Sequence, residues 1–281
     1  TTSQFYGAED ENGVSRTIHT SFALSALAGI IMSLLGYWFS PWFISLINTP
    51  KHLIPSAISY LRIYFLSLIS VITYNISSGI IRAAGDSRTP LLVQVAGGVM
   101  NVAMDAVFLL VFHLGVDGVA WATLISQTFA AALSVAYILR VYSVSLRSIR
   151  LDRDICTRIL NIGIPSGVQS LVITLSNVYA QYHINSFGEH TIVAFTAYFK
   201  VELPIYMPIV SIGKATTTFI AQNKGARNPQ RMRQGLQTCL CLGFGVTALM
   251  SVCMLAFGRT AFGLFNSDST VIDIGMRIIQ V

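Results

Sequence analysis

The sequence predicts an all-α, polytopic membrane protein built from two related lobes. Of its 281 residues, 53% are apolar and only 11% are charged, and mean hydropathy is +0.64. Soluble domains carry about 25% charged residues. Apolar segments of membrane-crossing length recur along the chain, and the chain matches itself at a shift of 218 residues. Because a helix satisfies its own backbone hydrogen bonds in lipid, each segment is expected to be helical.

Eight apolar spans are expected, since a crossing helix needs about 20 residues. Five aromatic residues end the first span, as in an aromatic belt at the membrane–water boundary. Thr89 and Pro90 are expected to cap and open the third span, and Gly115 and Gly118 to form the turn into the fourth. The spans are 18–40, 53–80, 91–112, 118–141, 159–185, 192–222, 236–258 and 270–281.

Basic residues in alternate loops predict the orientation. One set of loops carries almost all of them, and the other set holds only Lys51 and Arg259. This asymmetry places the loops that are rich in basic residues in the cytoplasm. It also explains the net charge of +6 without nucleic-acid binding. The rich set is Arg16, Arg82, Arg88, Arg140, Arg147, Arg150, Arg153, Arg158, Lys224, Arg227, Arg231 and Arg233.

The internal repeat divides the chain into two lobes. The pattern Q-x-x-G-A at Gln4 recurs at Gln222, and F-x₆-L-x-N at Phe39 recurs at Phe257. We therefore expect a parallel repeat, with lobes 1–141 and 159–281 joined by a cytoplasmic loop 142–158. The chain starts at Thr1 rather than Met, so it is expected to be a fragment with about two helices missing before it and more than two after it.

The polar residues of span 91–112 are the strongest candidates for function. Asn101 and Asp105 lie four residues apart near its middle, on one helical face that Gln94 extends. A charged group at bilayer depth costs roughly 2.5–3.5 kcal/mol, so Asp105 is expected to face protein or water. The alternative is a protonated Asp105 that only holds two helices together.

Several motifs occur in order and resemble the multidrug and toxic compound extrusion (MATE) family. They are R-A-A-G-D-S-R-T-P at 82–90, N-x-x-x-D at 101–105, L-G-V-D-G-V-A-W-A-T at 114–123, I-G-I-P at 162–165 and Q-N-K-G-A-R at 222–227. The resemblance implies two six-helix lobes, both truncated here. It also implies export of organic cations or other amphipathic compounds in exchange for Na⁺ or H⁺, without a further cofactor.

Within that family, Asn101, Asp105 and Thr123 match the first-lobe cation site of the DinF-like branch. Span 159–185 carries no carboxylate, which favours that branch and a first-lobe site over a second-lobe one, with Asp273 as a remaining second-lobe candidate. Carboxylate, amide and hydroxyl oxygens suit Na⁺, and an aspartate shielded from water can equally take up a proton. The proposed switch is that H⁺ or Na⁺ binding at Asp105 ejects the substrate.

A small-molecule substrate is expected to bind in a cavity lined by polar side chains of both lobes. The protein is expected to be a monomer, multi-pass in the cell membrane, and not an enzyme, since the spans lack a catalytic motif. The expected cavity residues are Tyr74, Asn75, Ser78, Gln94, Gln127, Gln169, Lys200 and Glu202.

Two other transport functions remain open at this point. A flippase for lipid-linked oligosaccharides would need several Arg or Lys in the cavity to hold phosphate. The first lobe offers Arg62 alone at depth and the second offers Lys200 and Lys214, which disfavours this alternative. A channel usually needs equivalent ligands from several subunits, which a two-lobed chain with one buried acid does not suggest. The four cysteines show no metal spacing.

Overall fold

The computed structural model describes residues 1–46, 50–142, 150–265 and 268–280, and these form nine α-helices without a strand. The prediction of an all-α fold is confirmed. Residues 143–149 of the expected connecting loop, and the repeat residues Asn48 and Asn266, lie outside the described residues. The helices are α1 (Thr2–Gly7), α2 (Glu11–Leu46), α3 (Ile54–Ala83), α4 (Arg88–Ala106), α5 (Gly115–Val141), α6 (Arg153–Asn185), α7 (Glu189–Gly225), α8 (Pro229–Gly263) and α9 (Ser269–Gln280).

Seven of these helices, α2 to α8, are long and apolar enough to cross a membrane. Most of them continue past the predicted apolar span at one or both ends, whereas α4 ends at Ala106, short of the predicted residue 112. The eighth predicted span corresponds to α9, whose described part has 12 residues. The chain divides into two compact units, Thr1–Ile159 and Leu160–Val281.

Small residues bring α2 and α3 close together. Gly29, Ser33 and Gly36 are buried along one face of α2, as in the small-residue contacts of membrane helices. A Cβ atom on Gly36 would lie 2.0 Å from the Phe65 ring. Ser33 Oγ donates to the Phe65 carbonyl oxygen at 2.7 Å, so a hydrogen bond joins the two helices at the same place.

The loop between α3 and α4 is organised by Asp86. Its Oδ1 accepts the backbone N–H groups of Arg88 and Thr89 at 2.9 and 3.0 Å, and its Oδ2 accepts the Tyr137 hydroxyl of α5 at 2.9 Å. The prediction that Thr89 caps this helix is therefore wrong. A carboxylate three residues earlier satisfies the free N–H groups, and its charge also suits the positive end of the helix.

The turn between α4 and α5 lies where it was predicted, but only one of the two predicted glycines, Gly115, takes part in it. Gly115 has φ of +61°, which a residue without a Cβ adopts without strain. Gly118, also predicted to form the turn, lies inside α5, where a Cβ would sit 3.0 Å from the Phe108 Cβ. It permits close helix packing rather than a turn.

The two copies of the internal repeat share helix boundaries. Shifted by 218 residues, the last residue of α1 falls on that of α7, and the first and last residues of α2 fall within one residue of those of α8. Glu9 and Arg227 occupy equivalent places and both have positive φ, 56° and 54°. Asp10 and Asn228 are also equivalent, and each side chain accepts the backbone N–H three residues later, at 2.9 and 3.0 Å. The two copies thus share backbone geometry while differing in side-chain charge.

Candidate functional site

The predicted coupling residues Asn101, Asp105 and Thr123 lie on α4 and α5, which pack through small side chains. A Cβ on Gly97 would lie 3.2 Å from the Ala130 Cβ, and one on Gly118 would meet Phe108. These two contacts define an antiparallel register in which Asp105 is level with Trp121 and Ala122, one residue from Thr123. Because small residues let the backbones approach, polar side chains beside them face each other across a short gap.

Four of the predicted residues line one cavity between these helices. Gln94 and Asn101 come from α4, and Thr123 and Gln127 come from α5. The cavity holds about 170 Å³, enough for several water molecules. Its lining, within the described residues, is Gln94, Gly97, Gly98, Asn101, Thr123, Ser126, Gln127 and Ala130.

The hydroxyl groups of this cavity are oriented by their own helix. Thr123 Oγ1 donates to the Val119 carbonyl at 3.0 Å, and Ser126 Oγ donates to the Thr123 carbonyl at 3.0 Å. With their protons committed to the backbone, both oxygens remain available as acceptors. Together with two glutamines and an asparagine, they give the cavity an oxygen-rich lining that suits a hard cation or a hydrogen-bonding substrate.

Asp105 lies one turn beyond Asn101 and is not part of the cavity lining. Its Oδ1 is buried and has no hydrogen-bond partner among the described residues. At 1.5 Å per residue, Asp105 is about 26 Å along α4 from Arg88. It therefore lies nearer the far end of the helix than the middle, where the sequence had suggested it.

A change of helical geometry follows Asp105 directly. Residues Val107–Val111 continue α4 as a π-helical turn, where a continuous α-helix was predicted through residue 112. Such turns are rare and occur frequently at functional sites. The sequence carries no signal for it, because an apolar run such as V-F-L-L-V suits both geometries.

The other predicted cavity residues of the first unit lie on α3, away from this cavity. The Tyr74 hydroxyl donates to the Pro90 carbonyl oxygen at 3.0 Å in a buried site. Asn75 is exposed, and its side-chain amide donates to the Val71 carbonyl oxygen of the same helix at 2.8 Å. Ser78 is 1% exposed, and its Oγ has no partner among the described residues.

The remaining predicted residues lie in the second unit. Gln169 is exposed on α6, and Glu202 is half-buried on α7. The Lys200 ammonium sits 5.7 Å from the centre of the Phe265 ring, a cation–π contact. Asp273, the second-lobe candidate, pairs with Arg259 at 2.9 Å on the exposed surface of α8 and α9.

Asp117 is a second acid with a buried oxygen, which the sequence analysis did not single out. It lies in the first turn of α5, and its Oδ1 is also buried without a partner among the described residues. The motif L-G-V-D-G was treated only as a turn. An acid in the first turn of a helix, directly before a packed glycine, was the signal that could have drawn attention to it.

Known proteins resemble this chain in sequence and in fold. It is 28% identical over 279 residues to the probable multidrug resistance protein YpnP of Bacillus subtilis, covering 99% of this chain and 63% of that protein. It is 24% identical over 285 residues to the multidrug export protein MepA of Staphylococcus aureus, with 99% and 62% covered. The chain thus spans under two thirds of the length of these relatives.

Solved structures share the fold. An outward-facing multidrug resistance MATE family transporter matches with a TM-score of 0.90 at 21% identity, over 99% of this chain and 63% of that one. A transporter of the MOP superfamily from Pyrococcus furiosus matches with a TM-score of 0.89 at 22% identity, over 99% and 64%. These likenesses support a polytopic membrane protein, in agreement with the seven apolar helices.

The family model described as MatE matches residues 1–107 and 165–281, one segment in each compact unit. Most of the chain is covered, and the relatives above are named as transport or resistance proteins rather than as enzymes. The chain belongs to the MatE family of multi-pass cell-membrane proteins.

Proposed function

We propose that this chain forms part of a secondary active antiporter that exports organic cations or other amphipathic compounds in exchange for Na⁺ or H⁺. The observation that carries the proposal is the α4–α5 cavity, with a buried carboxylate oxygen one turn beyond it that has no hydrogen-bond partner within the described part of the chain. Polar groups inside membrane-spanning helices are costly and mark ion and substrate pathways.

Asp105 is the coupling residue in this proposal. An ionised carboxylate without a partner is unfavourable in apolar surroundings, so a proton or a Na⁺ ion stabilises it there. Asn101 and Thr123 supply amide and hydroxyl oxygens on the same pair of helices, as in the DinF-like branch. Neutralising Asp105 changes the charge beside the cavity, and this favours release of a cationic substrate.

The substrate class is supported by the relatives, and it is broader than cations alone. Two of them are named for multidrug resistance or export, and a protein of Shewanella oneidensis, 24% identical over 266 residues, is named as an FAD transporter. The cavity lining described here includes no Lys or Arg. Recognition of phosphate by a flippase would need such residues, so the flippase alternative is not favoured.

The test compares two acid-to-amide variants of the full-length protein in a host that lacks its own efflux transporters. Asp105→Asn is expected to abolish energised efflux of a cationic dye such as ethidium, at a normal level of protein in the membrane. Asp117→Asn removes the second carboxylate that has a buried oxygen without a partner in the described ranges, but Asp117 lies at the helix end, so this variant is expected to retain most of the efflux.

Ionophores that collapse either the Na⁺ or the H⁺ gradient identify the coupling ion in the same assay. Efflux by the unmodified protein should stop with one of them. Wild-type efflux from Asp105→Asn would contradict the coupling role, and efflux insensitive to both ionophores would contradict antiport.

A further inference from the structure

A second cavity lies between α7 and α8 at the end where their connecting loop begins. It holds about 490 Å³. One side chain in its lining is charged, that of Arg231, while Ala215, Phe219 and Cys239 supply an apolar wall. The full lining, within the described residues, is Ala215, Phe219, Arg231, Gln234, Gly235, Thr238 and Cys239.

The stretch of sequence that forms this cavity carries positive charge only. The sequence holds no Asp or Glu between Leu203 and Ser267, and four basic residues fall within ten positions at the loop and the start of α8. The N-terminal end of α8 adds the positive end of a helix dipole. The four residues are Lys224, Arg227, Arg231 and Arg233.

Arg231 is held at the mouth of the cavity. Its guanidinium carbon lies 6.0 Å from the centre of the Phe219 ring, and its backbone N–H is fixed by the Asn228 side chain at 3.0 Å. A Cβ on Gly235 would lie 2.2 Å from the same ring, so this glycine allows Phe219 to rest directly on α8. The cavity is therefore bounded by a positioned cation and an aromatic face.

The cavity is polar at one end and apolar at the other. Arg231 is in the first turn of α8, while Cys239 lies about 15 Å from the start of that helix along its axis. The predicted orientation puts the charged end at the cytoplasmic surface. A ligand that fits has an anionic head at the surface and an apolar body that extends into the membrane.

The loop before α2, which corresponds in the repeat to the loop before α8, has the opposite charge. It carries Glu9, Asp10 and Glu11, and these line a different cavity of about 730 Å³ together with Tyr6 and Tyr142. In the repeat, Glu9 corresponds to Arg227, and the backbone conformation is the same. Positive charge is thus a property of the second copy and is not imposed by the shared backbone geometry.

We propose that the α7–α8 cavity binds an anionic phospholipid of the cytoplasmic leaflet. The phosphate group pairs with Arg231 and accepts hydrogen bonds from Gln234, and an acyl chain lies along Ala215 and Cys239. Basic pockets between membrane helices on the cytoplasmic side bind anionic head groups in this way. The proposal is independent of the ion-coupling role of Asp105.

Native mass spectrometry of the purified full-length protein, with phosphatidylglycerol added at physiological ionic strength, measures the binding. Arg231→Gln should weaken binding by about fivefold or more. Arg233→Gln is the matched control, because it removes the same charge two residues along the helix, on the opposite face. It should change the affinity by less than about twofold. Equal losses in the two variants would show general electrostatic attraction and overturn the site.

The native cysteines give a second measurement that needs no change at Arg231. Cys239 lines the cavity, and Cys241 is exposed on another face of α8. In single-cysteine variants, phosphatidylglycerol should slow maleimide labelling of Cys239 and leave Cys241 unchanged, whereas phosphatidylcholine should protect neither. Displacement of the lipid by millimolar inorganic phosphate would assign the site to free phosphate instead, and absence of protection would contradict the proposal.

Discussion

The contact between α2 and α3 allows one substitution to be predicted in detail. In Gly36→Ala the new Cβ would lie 2.0, 2.1 and 2.5 Å from three atoms of the Phe65 ring. Carbon atoms in contact are about 3.5–4.0 Å apart, so the ring or the helix must move by about 1.5 Å. The ring cannot turn away freely, because it stacks on Phe43 with ring centres 6.3 Å apart.

The expected cost follows from two opposing effects. Overpacking of this kind typically destabilises by 1–3 kcal/mol, while alanine is favoured over glycine in a helix by about 1 kcal/mol. Because the clash involves ring atoms close to the backbone, we expect the overpacking cost to lie at the upper end of its range. After the gain in helix propensity, the net loss in the free energy of unfolding is then about 2 kcal/mol. This corresponds to roughly a 30-fold change in the unfolding equilibrium.

Reversible unfolding in mixed micelles of a mild detergent and dodecyl sulfate, followed by circular dichroism, measures this loss. Gly79→Ala is the matched control, since no atom lies within 4 Å of the Cβ position on that face of α3. It should be neutral, or stabilising by up to about 1 kcal/mol. Equal stability of the two variants would refute close packing of α2 on α3.

Two further predictions concern the loops. Hydrogen bonds, first from Thr89 and then from the Tyr137 hydroxyl, hold the pKa of Asp86 below its ordinary value of 3.8. The stability that these hydrogen bonds contribute is fully present above pH 3.8, and it is lost as the pH falls through the lowered pKa of the folded protein. The thermal midpoint should therefore fall more steeply below pH 4 than in Asp86→Asn, and parallel curves would contradict this linkage. Glu9 holds φ of 56°, a left-handed conformation that costs a side-chain-bearing residue about 1 kcal/mol. Glu9→Gly should raise stability by about 0.5 kcal/mol in the same micelle assay, and a loss of stability would show that the Glu9 side chain contributes more than its backbone strain costs.

Part of the site could be predicted from helical spacing. Gln94 and Asn101 share a face because they are seven residues apart, and Thr123 and Gln127 share one because they are four apart. The cavity brings these two faces together. Tyr74 could not be placed in this way, because its hydroxyl is satisfied by the Pro90 carbonyl, and that contact depends on how α3 packs against the start of α4.

The sequence by itself determined the membrane class, the helices and the repeat, since each depends on local chemistry repeated along the chain. Apolar length decides which segments enter a bilayer, and the recurring Q-x-x-G-A pattern produces the same helix ending twice. Only the tertiary structure decided that Asp86, rather than Thr89, caps α4, and that Asp105, with its Oδ1 atom buried, lies beyond the cavity rather than within its lining. The physical reason is that the partner of a polar group is set by helix register and closeness, which small residues such as Gly97 control and which no single segment encodes.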